Sequence, residues 1–270
     1  MEVSETIVAV YRTANDRDIT FLAAGFAYYA FVSLIPMVLL ALVVGSLLGG
    51  EAAAERLILI AGDFLPAAGE DLVVDALTTE AGRAQATVVA LLVASWGALK
   101  VFRGLSLAFD KVYDEVAEDT LIDEIRDGFT VIFAGAGALA LMIVIGAALG
   151  IAADAVPFAG IVSWIALLIG LVLVFLPIYY VLPPISVTVS EIVPGAVFAA
   201  IGWTILQIGF QIYAANAGRY AAYGAVGAVL LFVTWLYFAG ILILLGTVLN
   251  VVLARPMLAE EASTESIVGD

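Results

Sequence analysis

The chain has 270 residues, of which 64% are hydrophobic and 13% charged. A soluble domain has about 45–50% apolar and about 25% charged residues, so this chain has too few polar side chains to cover a water-facing surface. Ten Lys and Arg stand against 25 Asp and Glu, a net charge of −15. That balance excludes a nucleic-acid partner, because phosphate binding needs clustered cations. Cys and His are absent, which removes disulfides, Cys/His zinc or haem ligation, a His base and a Cys nucleophile.

The charges are clustered. No Asp, Glu, Lys or Arg occurs from Ile19 to Gly50, Gly128 to Ala153, Ala155 to Ser190, Ile192 to Gly218 or Tyr220 to Ala254. Each run reaches the roughly 20 residues that a spanning helix needs. Barrel strands alternate apolar and polar residues over about 10 positions, whereas these runs are unbroken and rich in Ala, Leu, Gly and Ile. A helix satisfies its own backbone hydrogen bonds in lipid. The expected fold is therefore all-α, a polytopic membrane bundle of six transmembrane helices forming a single domain over residues 1–255.

In chain order, residues 1–18 predict a short interfacial amphipathic segment, with Val8, Tyr11 and Asn15 on one face. The first span covers about 19–49 and contains Pro36, which should kink it. Its length and the lack of a small-residue cleavage site mark a retained span rather than a signal peptide. Residues 50–83 read as two short amphipathic helices broken near Pro66. The second span, about 84–103, includes Lys100 and Arg103 in its last turn, from which both can snorkel. A charged, helical connection follows to 127. The remaining spans are about 128–152, 159–182 (ended by Pro183-Pro184), 194–215 and 224–253, and an acidic tail at 256–270 is expected to be disordered.

Orientation follows Lys and Arg counts. With both termini inside, seven cations lie inside (Arg12, Arg17, Lys100, Arg103, Lys111, Arg126, Arg255) and three outside (Arg56, Arg83, Arg219). The prediction is N-in and C-in, in the plasma membrane, with the 50–83 loop facing outward. The acidic loops and tail suggest a halophilic host, in which dense carboxylates keep surfaces hydrated.

Few positions suggest chemistry. Lys100, Arg103 and Asp110 share a helical face and form a candidate inner-face contact for an anion or lipid headgroup. Snorkelling alone would also place cations there. Gln207 and Gln211, four apart, either line a substrate path or bond across helices. Tyr28, Tyr29 and Tyr213 are candidates for a cavity wall. Tyr28-Tyr29 before Pro36 has a faint echo in Tyr179-Tyr180 before Pro183, and interrupted spans at matching positions can mark a transport site. No phosphate-binding glycine loop, intramembrane carboxylate pair, metal site or cofactor site is apparent. Glycines such as Gly135, Gly137, Gly146 and Gly150 are explained by close helix packing.

Several fragments together carry a family resemblance. They are Ala27-Tyr28-Tyr29-Ala30-Phe31 with Ser33-Leu34-Ile35-Pro36, Trp96 through Phe109 with Tyr113, Tyr179-Tyr180 before Pro183, and Pro194-Gly195-Ala196. Phe210-Gln211-Ile212-Tyr213, Tyr223 through Ala228, Trp235-Leu236-Tyr237 and Leu245-Gly246 through Asn250 complete the set. The chain resembles the YihY/BrkB family of inner-membrane proteins, once labelled ribonuclease BN. The resemblance implies six spans and no defined activity. Two positions depart from the family pattern. An acidic residue near the end of the last span is Val248 here, and an asparagine before Tyr113 is Asp110.

Three readings follow. The first is a transporter or lipid-interacting permease of unknown substrate, with membrane lipids as partners. Tyr28, Tyr29, Pro36, Gln207, Gln211 and Tyr213 would line its path, and Lys100 and Arg103 would meet an anionic group. The second is a non-catalytic membrane scaffold or envelope-integrity protein, with association between copies left open. A membrane-bound ribonuclease ranks last, since it would need metal ligands or a His and a basic RNA face.

Overall fold

A computed structural model describes residues 3–33, 80–115, 120–151, 158–216 and 224–268. Among the described residues the chain is wholly helical. The helices are α1 (Val3–Asp16), α2 (Ile19–Ser33), α3 (Glu80–Tyr113), α4 (Leu121–Ile151), α5 (Ala159–Val181), α6 (Val189–Asn216) and α7 (Gly224–Val268). The chain divides into two compact units, one comprising Met1–Ala27 and Phe102–Asp270, the other Tyr28–Val101.

Among the described residues, four stretches combine the length and hydropathy to cross a bilayer: Ile122–Ile151, Gly160–Val181, Val189–Tyr213 and Val229–Ala254. They match the last four predicted spans, though α4 begins at Leu121 and α6 at Val189, earlier than expected. The second half of the first span, with Pro36, and the two amphipathic helices expected within 50–83 lie outside the described residues, apart from the start of α3 at Glu80.

Local chemistry sets the helix ends. Arg17 and Asp18 turn the chain between α1 and α2, with Asp18 in the left-handed region at φ 54°, which Asp tolerates better than most residues. Its carbonyl then accepts the Phe21 and Leu22 N–H groups at 2.9 and 3.0 Å. At the end of α3, Asp114 is also left-handed, at φ 65°. The Glu115 N–H reaches back to the Asp110 carbonyl at 3.2 Å, the long-range bond of a Schellman termination.

Thr120 and Asp123 cap α4 reciprocally. The Thr120 N–H donates to Asp123 Oδ2 at 3.2 Å, and the Asp123 N–H donates to Thr120 Oγ1 at 3.4 Å. At α6 the Glu191 carboxylate accepts the Thr188 N–H at 2.6 Å, while the Glu191 N–H donates to the Thr188 carbonyl at 3.1 Å. Pro183-Pro184 end α5 as predicted, with the Leu182 N–H closing on the Ile178 carbonyl at 3.2 Å.

The core of the larger unit lies where the start of α2, the end of α3, the end of α5, the start of α6 and the end of the apolar part of α7 converge. Ala23, Phe109, Val112, Tyr179, Ile192, Ala196, Ala200, Leu244 and Val248 are fully or almost fully buried there. The other half of the same bundle is apolar and exposed. The most apolar stretch of α4 has no buried residue, and Ile132, Phe133, Ile143, Val144, Trp164, Ile165 and Ile205 face outward. Apolar surface on this scale suits lipid rather than water.

On α1, Val8, Tyr11 and Asn15 are exposed, while Thr13 with Ala9, Val10 and Ala14 turns inward. Two expectations need correction. Helix α7 runs through Pro256 to Val268, where disorder was expected. Charge suggested disorder, but the Ala, Glu and Leu of this segment are good helix formers. Finally, a Cβ added at Gly135, Gly137, Gly146 or Gly150 would meet no neighbouring atom within 4 Å, so helix packing within the chain does not explain these glycines.

Candidate functional site

The unit Tyr28–Val101 contains a cleft of about 220 Å³. The last turns of α2 supply Tyr28, Tyr29, Val32 and Ser33, and α3 supplies Trp96, Gly97 and Lys100. Tyr28 and Tyr29 stand edge to face, with ring centroids 5.5 Å apart and planes at 67°, a favourable arrangement of aromatic quadrupoles. Trp96 and Lys100 are four apart on α3 and so neighbours on its surface. The Lys100 ammonium lies 5.5 Å from the Trp96 ring centroid, within cation–π range. The Ser33 hydroxyl donates to the Ala30 carbonyl at 2.9 Å, so that side presents little polarity to the cleft.

The cleft thus brings together Tyr28, Tyr29 and Lys100 from the sequence-based candidates. Arg103 belongs to the other unit, where its Nε lies 3.8 Å from Glu124 Oε1. Gln207, Gln211 and Tyr213 also belong to that unit and are exposed on α6. Pro36 lies outside the described residues. Sequence reasoning missed Trp96 as a site residue, although its spacing of four from Lys100 was a readable signal.

The other cations of the described residues that pair with carboxylates are in the larger unit. Arg17 bonds to Asp114, and Lys111 pairs with Asp18 at 2.9 Å. Arg126 pairs with Asp123 at 3.3 Å and Asp127 at 3.0 Å. The bond to Asp114 holds the Arg17 pKa above its ordinary value. Lys100 makes no ion pair among the described residues. No group of three or more Asp or Glu among the described residues is placed to hold a metal ion.

A second polar feature is buried in the larger unit. The Tyr179 hydroxyl donates to the Ile243 carbonyl at 2.9 Å. The Asn250 amide accepts the Gly195 N–H at 2.6 Å and donates to the Ile192 carbonyl at 3.3 Å. Gly195 and Gly246 allow this approach. A Cβ on Gly195 would meet the Gly246 carbonyl, and one on Gly246 would meet the Tyr179 hydroxyl and the Gly195 carbonyl. Every donor and acceptor named here is satisfied. This feature clamps helices together. The echo between Tyr28-Tyr29 and Tyr179-Tyr180 therefore joins unlike environments, an exposed cleft wall and a buried clamp. Tyr180 faces a separate apolar groove of about 470 Å³ with Thr130, Gly137, Leu173 and Pro177.

Comparison with known proteins places these features in a wider setting. Residues 10–266 match the family described as "Virulence factor BrkB". The UPF0761 membrane protein PSHAa0171 of Pseudoalteromonas translucida (strain TAC 125) is 25% identical over 245 residues, covering 87% of this chain and 81% of that one. A ribonuclease-like protein, YfkH, of Bacillus subtilis (strain 168) is 37% identical over 86 residues, covering 32% of this chain and only 31% of its own length. No solved structure matches.

Proposed function

We propose that this chain, which belongs to the Virulence factor BrkB family, is a six-span, N-in and C-in permease of the cell membrane that recognises an anionic group at its Tyr28–Lys100 cleft. The observation that carries the reading is Lys100, a cation with no carboxylate partner among the described residues, standing over Trp96 in an aromatic-walled cleft. A positive group among amphipathic rings suits a ligand with one charged end and one apolar end.

Six spans follow if α2 and α3 cross the membrane alongside the four long apolar helices. The seven-to-three excess of Lys and Arg favours inner termini. The absence of Cys makes topology directly measurable. Ser190→Cys in intact cells should resist an impermeant thiol reagent, and Thr78→Cys should react; the reverse pattern overturns the orientation. The activity in the name of the Bacillus relative is not carried over, because a net charge of −15 opposes RNA binding.

The functional test is native mass spectrometry of protein released from its own membrane. A co-purified anionic species should be retained by the natural chain and lost from Lys100→Gln. Equal retention by both removes the cleft from any role in recognition.

A further inference from the structure

Resting on the reading of the cleft as an anion site, we infer that its ligand is an anionic phospholipid that seats only its headgroup there and leaves its acyl chains outside. The first reason is size. Pockets that enclose small molecules run to about 300–1,000 Å³, whereas this cleft is about 220 Å³. A cleft of this size suits a phosphate with a short polar substituent better than a whole lipid.

The second reason is the lining. A wholly polar solute would need several fixed hydrogen-bond groups to replace its hydration. Here Tyr28, Tyr29, Val32 and Trp96 present mostly carbon, and the Ser33 hydroxyl is already donating to Ala30. Lys100 and the two phenol hydroxyls remain as polar handles. One charged end and an apolar remainder match that inventory. Tyr and Trp with half-exposed rings are also the side chains that settle at headgroup depth.

The third reason is charge. The chain has 25 acidic residues, and Arg17, Arg103, Lys111 and Arg126 each lie beside one of them. Lys100 is instead held over an indole face. A phosphate oxygen forms a stronger, charge-assisted bond to the ammonium than the ring does. Headgroup binding would therefore draw Nζ off Trp96, and the emission of Trp96 would report it.

The experiment uses the full chain in phosphatidylcholine vesicles with or without phosphatidylglycerol, and glycerol phosphate as the soluble counterpart. Binding is read by native mass spectrometry and by the emission change absent from Trp96→Phe. The natural chain should retain phosphatidylglycerol, Lys100→Arg should keep it, and Lys100→Gln should bind about tenfold more weakly, the loss of one charge-assisted hydrogen bond. Glycerol phosphate should not displace the lipid. Displacement by glycerol phosphate at similar concentration would overturn the lipid assignment while leaving the anion site standing. Equal lipid retention by the natural chain and Lys100→Gln, with no Trp96 response, would remove both.

Discussion

Asn250 grips the backbone of α6 on both sides of Pro194: its amide accepts the Gly195 N–H at 2.6 Å and donates to the Ile192 carbonyl at 3.3 Å. A proline inside a helix removes one N–H from the ladder and crowds the carbonyl four residues before it. A side-chain amide supplies both a donor and an acceptor, so one Asn on α7 can secure a weakened turn of α6. In lipid, where helices gain nothing by hiding apolar surface from each other, such polar contacts and close backbone approach hold a bundle together.

Asn250→Ala should therefore destabilise the larger unit by about 1–3 kcal/mol, the cost of leaving buried backbone groups unsatisfied. Asn250→Asp would bury a carboxylate against the Ile192 carbonyl, and should cost at least as much as Asn250→Ala. Thermal unfolding in detergent measures both. A change within error for Asn250→Ala would mean that the clamp adds nothing.

Gly246→Ala should also destabilise, by about 1–3 kcal/mol, as overpacking at a close contact does. The added carbon would meet the Tyr179 hydroxyl and the Gly195 carbonyl. Gly135→Ala, in open space on α4, should be neutral or slightly stabilising because Ala favours helix more than Gly. The pair of variants, compared by unfolding temperature, separates a packing requirement from a general intolerance of substitution.

Tyr113 predicts an alkaline limit. Burial, and then the charge of Glu191, push its phenol from 10.0 up to about 12. The folded state thus holds this proton more tightly than the unfolded chain. Its contribution is fully present below about pH 10 and lost as pH rises toward about 12. Tyr113→Phe should flatten the fall in stability across that window, read from unfolding temperature against pH. An unchanged alkaline slope would assign the loss to other groups.

Arg17 with Asp114 and Lys111 with Asp18 tie the α1–α2 corner to the end of α3 through two left-handed aspartates. These pairs are partly exposed, and such pairs are worth about 0–1 kcal/mol each. Asp114→Asn keeps a residue that tolerates left-handed backbone and removes the charge. It should cost less than about 1 kcal/mol, and the cost should shrink in added salt. Undiminished loss at high salt would point to geometry rather than charge.

The net charge of −15 predicts the opposite response for the whole chain. Screening relieves repulsion among carboxylates, so unfolding temperature should rise from dilute buffer to molar KCl. A flat profile would count against adaptation to a salty cytoplasm.

Sequence alone determined that this is a helical membrane protein and where four of its long apolar helices lie. Uncharged runs and the prolines after α5 are local signals, since the bilayer acts on each segment separately. The family fragments were also legible, though not their reason. Tyr179, Gly195, Gly246 and Asn250 are far apart in the chain, and only packing shows that they form one clamp. Which cation serves the candidate site was likewise a tertiary matter. Lys100 and Arg103 look alike in sequence, three positions apart. Both stand on one helical face, and it is Glu124 of α4, distant in the chain, that meets Arg103, while Lys100 lies over Trp96.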